Sequence, residues 1–163
     1  MAQATSRLAL VSRRRGDLAA ARVRYNDALG LYRRIGDRRA EARMLAGLGD
    51  VTAREGDHDG AAASYRESLS LRSELGDRAG IASMLERLAG VAEADAERAA
   101  RLIGMAAGLR QVIGAPLSTA ATAELDQFLA GLQRTLGPEV LETVMAEGRR
   151  ASMDAAIAYA SQG

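Results

Sequence analysis

The sequence predicts an all-α protein, a right-handed array of repeated helix pairs (an α-α superhelix) closed by C-terminal capping helices. Three observations support this fold class. The 163-residue chain has one Phe, four Tyr, no Trp and two Pro, a composition that suits packed helices better than sheets. The chain repeats itself every forty residues, and Gly-Asp pairs separate its apolar segments at regular intervals.

The repeat is clearest between residues 6–45 and 46–85, where 15 of 40 aligned positions are identical. A third copy is weaker. It keeps the register at Leu88 and Val91 and then continues with a shift of 38 residues. The simplest interpretation is a turn near 94–96 that is two residues shorter than its equivalents.

Each copy is predicted to form a helix, a turn and a second helix. Leu45, Leu48 and Val51 follow helical spacing, and in each Gly-Asp pair the Gly ends one helix while the Asp caps the next. Together the copies make three helix pairs, 2–35, 38–75 and 78–113, within a repeat domain of residues 1–114. The predicted helices are 2–15, 18–35, 38–55, 58–75, 78–93 and 96–113.

Residues 115–163 depart from the repeat and are predicted to form a helical cap over its last pair. Pro116 and Ser118 stop one helix and start another, Pro138 suits a first helical turn, and Ser152 caps a last short helix. An end repeat needs such a cover because its outer face is apolar. The apolar stripes of the three helices are Leu125, Phe128, Leu129 and Leu132; Val140, Leu141, Val144 and Met145; and Met153, Ala156, Ile157 and Ala160.

The composition argues against several enzyme and metal-site classes. Without Cys there is no disulfide, thiolate nucleophile or cysteine-ligated metal, and the single His58 forms no multi-histidine site. All 22 basic residues are Arg, so the Lys of a phosphate-binding loop or a Schiff base is missing. We therefore expect no enzyme activity, no cofactor and no metal. His58 lies between Asp57 and Asp59 and is interpreted as part of a solvated helix start.

No apolar run approaches the roughly 18 residues of a membrane span, and no signal-peptide pattern opens the chain, so a cytoplasmic protein without membrane contact is expected. Arginine clusters such as Arg13–Arg15 raise the question of nucleic-acid binding. Acidic residues are interspersed with them and stacking aromatics are few, so the sequence predicts no direct nucleic-acid contact.

The repeated positions resemble the tetratricopeptide repeat in its forty-residue form. The second copy carries Leu45, Leu48-Gly49, Gly56-Asp57, Ala61, Tyr65 and Ser68, and the first carries Leu8-Ala9, Gly16-Asp17, Ala21, Tyr25 and Ala28. A degenerate third copy carries Leu85, Leu88-Ala89, Ala99, Ile103 and Ala106. The resemblance covers residues 2–114. It implies a non-enzymatic scaffold that binds a protein or peptide.

The tail shows a second resemblance. Five segments are similar to a stretch of the C-terminal helical-repeat region in large bacterial LuxR-type and MalT-like ATP-dependent regulators: 99–104, 109–110, 113–117, 136–137 and 147–149. That similarity implies the sensor or interaction region of a bacterial transcriptional regulator. Two alternatives stay open: a homo-oligomerisation module whose end helices pair between chains, and a small-molecule inducer sensor with a deep apolar pocket bordered by Arg.

The tetratricopeptide resemblance also implies a partner groove lined by the first helix of each pair. Its charged candidates are Arg13, Arg14, Arg43, Asp50, Arg54, Glu86 and Glu93. Its other positions are Gln3, Ser6, Leu10, Ala46, Ala53, Ser83 and Gly90. Residues 1–60 hold 12 Arg against 8 acids and 61–163 hold 10 against 13, so the groove would run from basic to acidic. Such a groove selects a partner of opposite polarity, unless these side chains form only a solvated helix face.

The groove lacks the residues of the variant that grips a C-terminal carboxylate, which uses Lys and Asn. This chain has no Lys, and its only Asn, Asn26, falls on a second helix. That activity is not expected here.

Overall fold

The structure, a computed structural model, describes residues 1–92 and 95–162. Within these ranges the chain forms helices and no strand, which confirms the all-α helical-repeat prediction. The helices are α1 (Ala2–Arg14), α2 (Leu18–Ile35), α3 (Arg38–Arg54), α4 (His58–Glu74), α5 (Arg78–Gly90), α6 (Ala96–Ile113), α7 (Thr119–Leu136), α8 (Pro138–Arg149) and α9 (Met153–Ser161).

Five helices, α2 to α6, begin at an aspartate whose side chain accepts the backbone N–H three residues on, at 2.8–3.0 Å. These caps satisfy a donor that would otherwise have no partner in the first turn. Before four of them stands a glycine with a φ of 65–85°, a left-handed conformation that other residues rarely adopt. The capping aspartates are Asp17, Asp37, Asp57, Asp77 and Asp95.

Most helix bounds agree with the sequence prediction to within one residue. The exception is α5, which ends at Gly90 instead of residue 93. After Gly90, the N–H groups of Val91 and Ala92 donate to carbonyls three residues back, so the chain tightens and leaves the α-helical path. Residue 93 and part of the predicted short turn lie outside the described residues. Asp95 nevertheless caps α6 where the sequence places its start.

The helices divide into two compact units, unit 1 (Met1–Gly76) and unit 2 (Asp77–Gly163). Unit 1 contains α1–α4. Unit 2 combines the degenerate third pair, α5 and α6, with the three helices of the predicted cap. The sequence instead predicts a repeat domain, residues 1–114, and a cap, residues 115–163. That division rests on the repeat pattern and stays a prediction.

In unit 1, each of α1, α2 and α3 packs against the next helix, and two tyrosines fill the spaces between them. The ring of Tyr25 lies where a Cβ at Gly47 would be, and the ring of Tyr65 lies where a Cβ at Gly49 would be. Both tyrosines are buried, at 4% and 3% exposure. Small residues in α3 therefore make room for aromatic rings from both neighbouring helices, as the repeat signature suggests.

In unit 2, α6 is the central helix and packs against α5, α7, α8 and α9. Its crossing with α8 is close because glycines bring the two backbones together. A Cβ at Gly104 or Gly108 would overlap the carbonyl oxygen of Met145 or Arg149, and a Cβ at Gly148 would overlap that of Arg101. Helix α7 packs less tightly, and Leu132 is its one buried residue among those described.

Candidate functional site

Five of the charged groove candidates lie on α1 and α3 of unit 1, and we call the surface they form the α1–α3 face: Arg13, Arg14, Arg43, Asp50 and Arg54. Positions 43, 50 and 54 are spaced by seven and four residues, which places them on one side of α3. Arg13 and Arg14 belong to the last turn of α1. The structure joins Arg13, Asp50 and Arg54 directly.

Arg13 and Asp50 form an ion pair of 3.0 Å between α1 and α3, with side chains that are 22% and 16% exposed. The hydroxyl of Tyr65 donates to Asp50 at 3.1 Å, and Nη1 of Arg54 donates to the carbonyl oxygen of Arg13 at 3.2 Å. The pair therefore neutralises its own charge and links three helices. Its geometry is that of a structural contact that holds α1 against α3.

The other three arginines of the face, Arg14, Arg43 and Arg54, are exposed, and none of them forms an ion pair with a described residue. With Asp50 already balanced by Arg13, the face carries three uncompensated positive charges. Exposed guanidinium groups present several N–H donors in a planar arrangement suited to carboxylates. Such a face is chemically able to bind acidic side chains.

Three arginines elsewhere in unit 1, Arg22, Arg33 and Arg38, show the opposite arrangement. Arg33 binds Glu41 at 2.9 Å and Glu67 at 2.6 Å, and Arg38 binds Glu74 at 2.6 Å and lies 3.6 Å from Glu41. The hydrogen bond that Arg33 donates to Glu41 raises the pKa of Arg33, and the one that Arg38 donates to Glu74 raises the pKa of Arg38. Arg22 pairs with Glu55 in the same way. These arginines connect helices and have acidic partners within the chain.

The two acidic groove candidates lie in different circumstances. Glu86 receives two hydrogen bonds from Arg110, from Nε at 2.6 Å and from Nη2 at 2.8 Å. The hydrogen bond to Glu86 is also the main cause that raises the pKa of Arg110, against the opposing effect of burial. Glu93 lies outside the described residues. The acidic end of the predicted groove thus remains a prediction.

Most of the uncharged groove positions are at least partly covered. Ala46 is buried at 6% exposure, Ser6 lies 3.4 Å from the hydroxyl of Tyr32, and Ser83 accepts a hydrogen bond from Arg87. Leu10 and Ala53 are half-buried, whereas Gln3 and Gly90 are exposed. Apart from Gln3, the uncharged positions of unit 1 therefore offer little free surface.

Sequence reasoning missed two polar residues of unit 1. One is Tyr65, assigned to packing alone, whose hydroxyl holds Asp50. The other is Glu41, which is 6% exposed and is reached by Arg33 and Arg38. The signal for Glu41 was its place on the otherwise buried side of α3, which called for a cationic partner.

Within residues 1–92 and 95–162, no group of three or more acidic or histidine side chains could hold a metal ion. His58 is the first residue of α4, half-buried next to the capping Asp57. None of the described helices is both long enough and apolar enough to cross a membrane.

Comparison with known proteins supports the repeat in the first part of the chain. Residues 1–74 match the family model described as tetratricopeptide repeat. This range corresponds closely to unit 1. No curated protein matches the chain. Tetratricopeptide repeats generally mediate protein–protein interaction and are typically non-enzymatic scaffolds.

Proposed function

We propose that the chain is a non-enzymatic scaffold whose α1–α3 face binds an acidic segment of a protein or peptide partner. The observation that carries the proposal is the set of exposed arginines, Arg14, Arg43 and Arg54, that have no acidic partner among the described residues. The similarity of residues 1–74 to tetratricopeptide repeats supports a protein partner.

Binding on this face needs little rearrangement of the helices. The Arg13–Asp50 pair fixes α1 against α3, and the Tyr65 hydrogen bond ties α3 to α4, so the arginines project from a preformed surface. Preorganisation lowers the entropy cost of binding, and positive charge speeds the encounter with an acidic partner. The interaction is expected to weaken as salt increases.

We further propose that this scaffold is the sensor or interaction region of a cytoplasmic bacterial transcriptional regulator that does not itself contact nucleic acid. The support is the similarity of the five tail segments between residues 99 and 149 to such regulators. The gene itself tests this idea. An NTPase domain encoded in the same reading frame would support it, and its absence from the full reading frame would contradict it.

The charge reversal Arg43→Glu/Arg54→Glu tests the binding face. We expect this double variant to bind a fluorescein-labelled peptide of alternating Glu and Leu at least about tenfold more weakly than the parent, measured by fluorescence anisotropy at low salt. The reason is the loss of two cations and the gain of two anions on the face.

Arg15→Glu/Arg34→Glu is the matched control, since it changes the net charge equally at exposed positions outside the face. This control should bind the peptide nearly as well as the parent, and circular dichroism should show both variants folded. Equal weakening in both would mean that only net charge matters, and unchanged binding in the test variant would contradict the proposal.

Self-association is a second candidate, and one observation favours it. Leu8 and Val11 on α1 are 53% and 43% exposed, whereas their equivalents one repeat later, Leu48 and Val51, are 9% and 0% exposed. The apolar side of α1 therefore lacks the cover that α3 receives. Sedimentation over a range of concentrations tests this candidate, because a strict monomer at high concentration would exclude a homodimer.

A further inference from the structure

Unit 2 contains a cavity of about 450 Å³ between α5, α6, α7 and the loop that joins α6 to α7. Its volume falls within the roughly 300–1,000 Å³ of typical small-molecule sites. Ile103 and Ala107 of α6, Leu117 of the loop and Leu125 of α7 supply apolar surface, and Arg110 and Glu86 supply the polar part. None of these residues belongs to the α1–α3 face.

The cavity lies where two of the neighbours of α6, helices α7 and α8, pack differently against it. Glycines let α8 approach α6 until the backbones touch. Gly114 ends α6 in a left-handed conformation, and a short loop through Pro116 then leads to the start of α7. Leu125, which the sequence assigns to a buried stripe, is only half-buried and lines the cavity. Apolar side chains that border a void lack contact partners, so an apolar occupant would gain contact with them.

The polar part of the cavity carries no net charge. Arg110 and Glu86 form a two-bond ion pair with side chains that are 16% and 21% exposed. A charged ligand would lose hydration without finding an opposite charge. Nη1 of Arg110 also donates to the carbonyl oxygen of Ala115 at 3.3 Å. The two terminal nitrogens of Arg110, Nη1 and Nη2, carry two hydrogens each. Each of these nitrogens donates one hydrogen bond to a described residue. One N–H group on each nitrogen is therefore left for an acceptor.

We propose that this cavity is a binding site for an uncharged, mainly apolar small molecule that carries a hydrogen-bond acceptor such as a carbonyl group. The apolar body would lie against Ile103, Ala107 and Leu125, and the acceptor would take a hydrogen bond from Arg110. The site is independent of the acidic-peptide face, so either proposal can fail without the other.

Prodan, an uncharged naphthalene ketone whose fluorescence reports its surroundings, is a suitable probe. Titration into the complete chain should give saturable one-to-one binding with blue-shifted emission. The methyl resonances of Ile103 and Leu125 should shift at the same Prodan concentrations. Absence of saturable binding, or methyl shifts confined to other residues, would overturn the proposal.

Ala107→Phe fills the cavity from α6, and Ala130→Phe places the same ring at an exposed position of α7 that does not line it. The first variant should weaken Prodan binding at least about tenfold, and the control should change it by less than about twofold. Leu125→Phe fills the cavity from the opposite wall and provides the same comparison should Ala107→Phe fail to fold. Unchanged binding in a folded filling variant would contradict the site.

Competing ligands test the polar contact. 2-Propionylnaphthalene and 2-propylnaphthalene differ by one carbonyl group. The variant Glu86→Met/Arg110→Met removes both charges and the proposed donor. In this variant the affinity of the carbonyl compound relative to that of the other compound, measured as the ratio of their Kd values, should fall by about fivefold or more. An unchanged ratio would exclude Arg110 as the donor. The anion 2-naphthoate should displace Prodan at least about tenfold less effectively than the ketone, and equal displacement would contradict an uncharged ligand.

Discussion

The two units of this molecule use glycine for different kinds of close contact. In unit 1, Gly47 and Gly49 make room for the rings of Tyr25 and Tyr65, so a side chain fills the space that a Cβ would take. In unit 2, Gly104 and Gly148 allow α6 and α8 to meet backbone to backbone. The same residue type thus indicates an aromatic neighbour in one unit and a helix crossing in the other. Only the partner distinguishes the two.

The largest loss of stability is expected at buried leucines that occupy the same repeat position in the two units. Leu48 in unit 1 and its equivalent Leu88 in unit 2 are 9% and 4% exposed. Leu48→Ala and Leu88→Ala should each lower the free energy of unfolding by about 2–5 kcal/mol because each leaves a cavity. Chemical denaturation measures this loss.

The equivalent residue of the first copy provides the control. Leu8 is 53% exposed, so Leu8→Ala should cost less than about 1 kcal/mol. If Leu8→Ala proved as costly as Leu48→Ala, the apolar side of α1 would be covered in solution, which would favour self-association.

The two uses of glycine differ in how a substitution can be relieved. Gly49→Ala and Gly148→Ala should each cost about 1–3 kcal/mol through overpacking. In unit 1 the obstacle is the ring of Tyr65, so adding Tyr65→Leu should recover part of the stability lost by Gly49→Ala, as a double-mutant cycle would measure.

In unit 2 the obstacle to Gly148→Ala is the backbone of Arg101 and of neighbouring residues in α6. Trimming the side chain with Arg101→Ala should therefore restore no stability to that variant. A rescue as large as that by Tyr65→Leu would show that the two crossings are alike.

A smaller effect is expected at the helix caps, which the units share. Asp57→Ala removes the acceptor of the Gly60 N–H, a bond of 2.9 Å, and should cost about 1 kcal/mol. Asp57→Asn keeps an acceptor at that position and should cost less. Thermal unfolding of the two variants gives this comparison, and equal losses would mean that the negative charge, rather than the hydrogen bond, stabilises the turn.

Much of the fold could be predicted because its signals are local. The Gly-Asp turns indicate where helices end and start, and the repeat register identifies buried positions such as Leu48 and Val51. The packing of α7 could not be predicted in this way. Its stripe at Leu125, Phe128 and Leu129 has helical spacing, but the distance between α6 and α7 decides how deeply that stripe is buried, and the spacing carries no information about that distance.

The charged site was harder to predict for a related reason. The repeat register places Arg13 and Asp50 on the first helices of neighbouring pairs, so an ion pair between them could have been predicted. Glu86 was assigned to the same surface, yet Arg110, 24 residues away on a second helix, holds its carboxylate. Side-chain partners across helices depend on reach and rotamer as well as on position. A repeat pattern supplies position alone.

The turns of unit 1 have a consequence for how such a chain can grow. Gly16, Gly36 and Gly56 have φ angles of 79°, 73° and 85°, and the aspartates that follow them share φ values between −79° and −89°. Each turn therefore ends in nearly the same backbone geometry as the one before it. A gene duplication that copied residues 17–56 would insert a helix pair between ends that already match it. The forty-residue period thus allows evolution, or an engineer, to lengthen the protein in whole steps without inventing a loop.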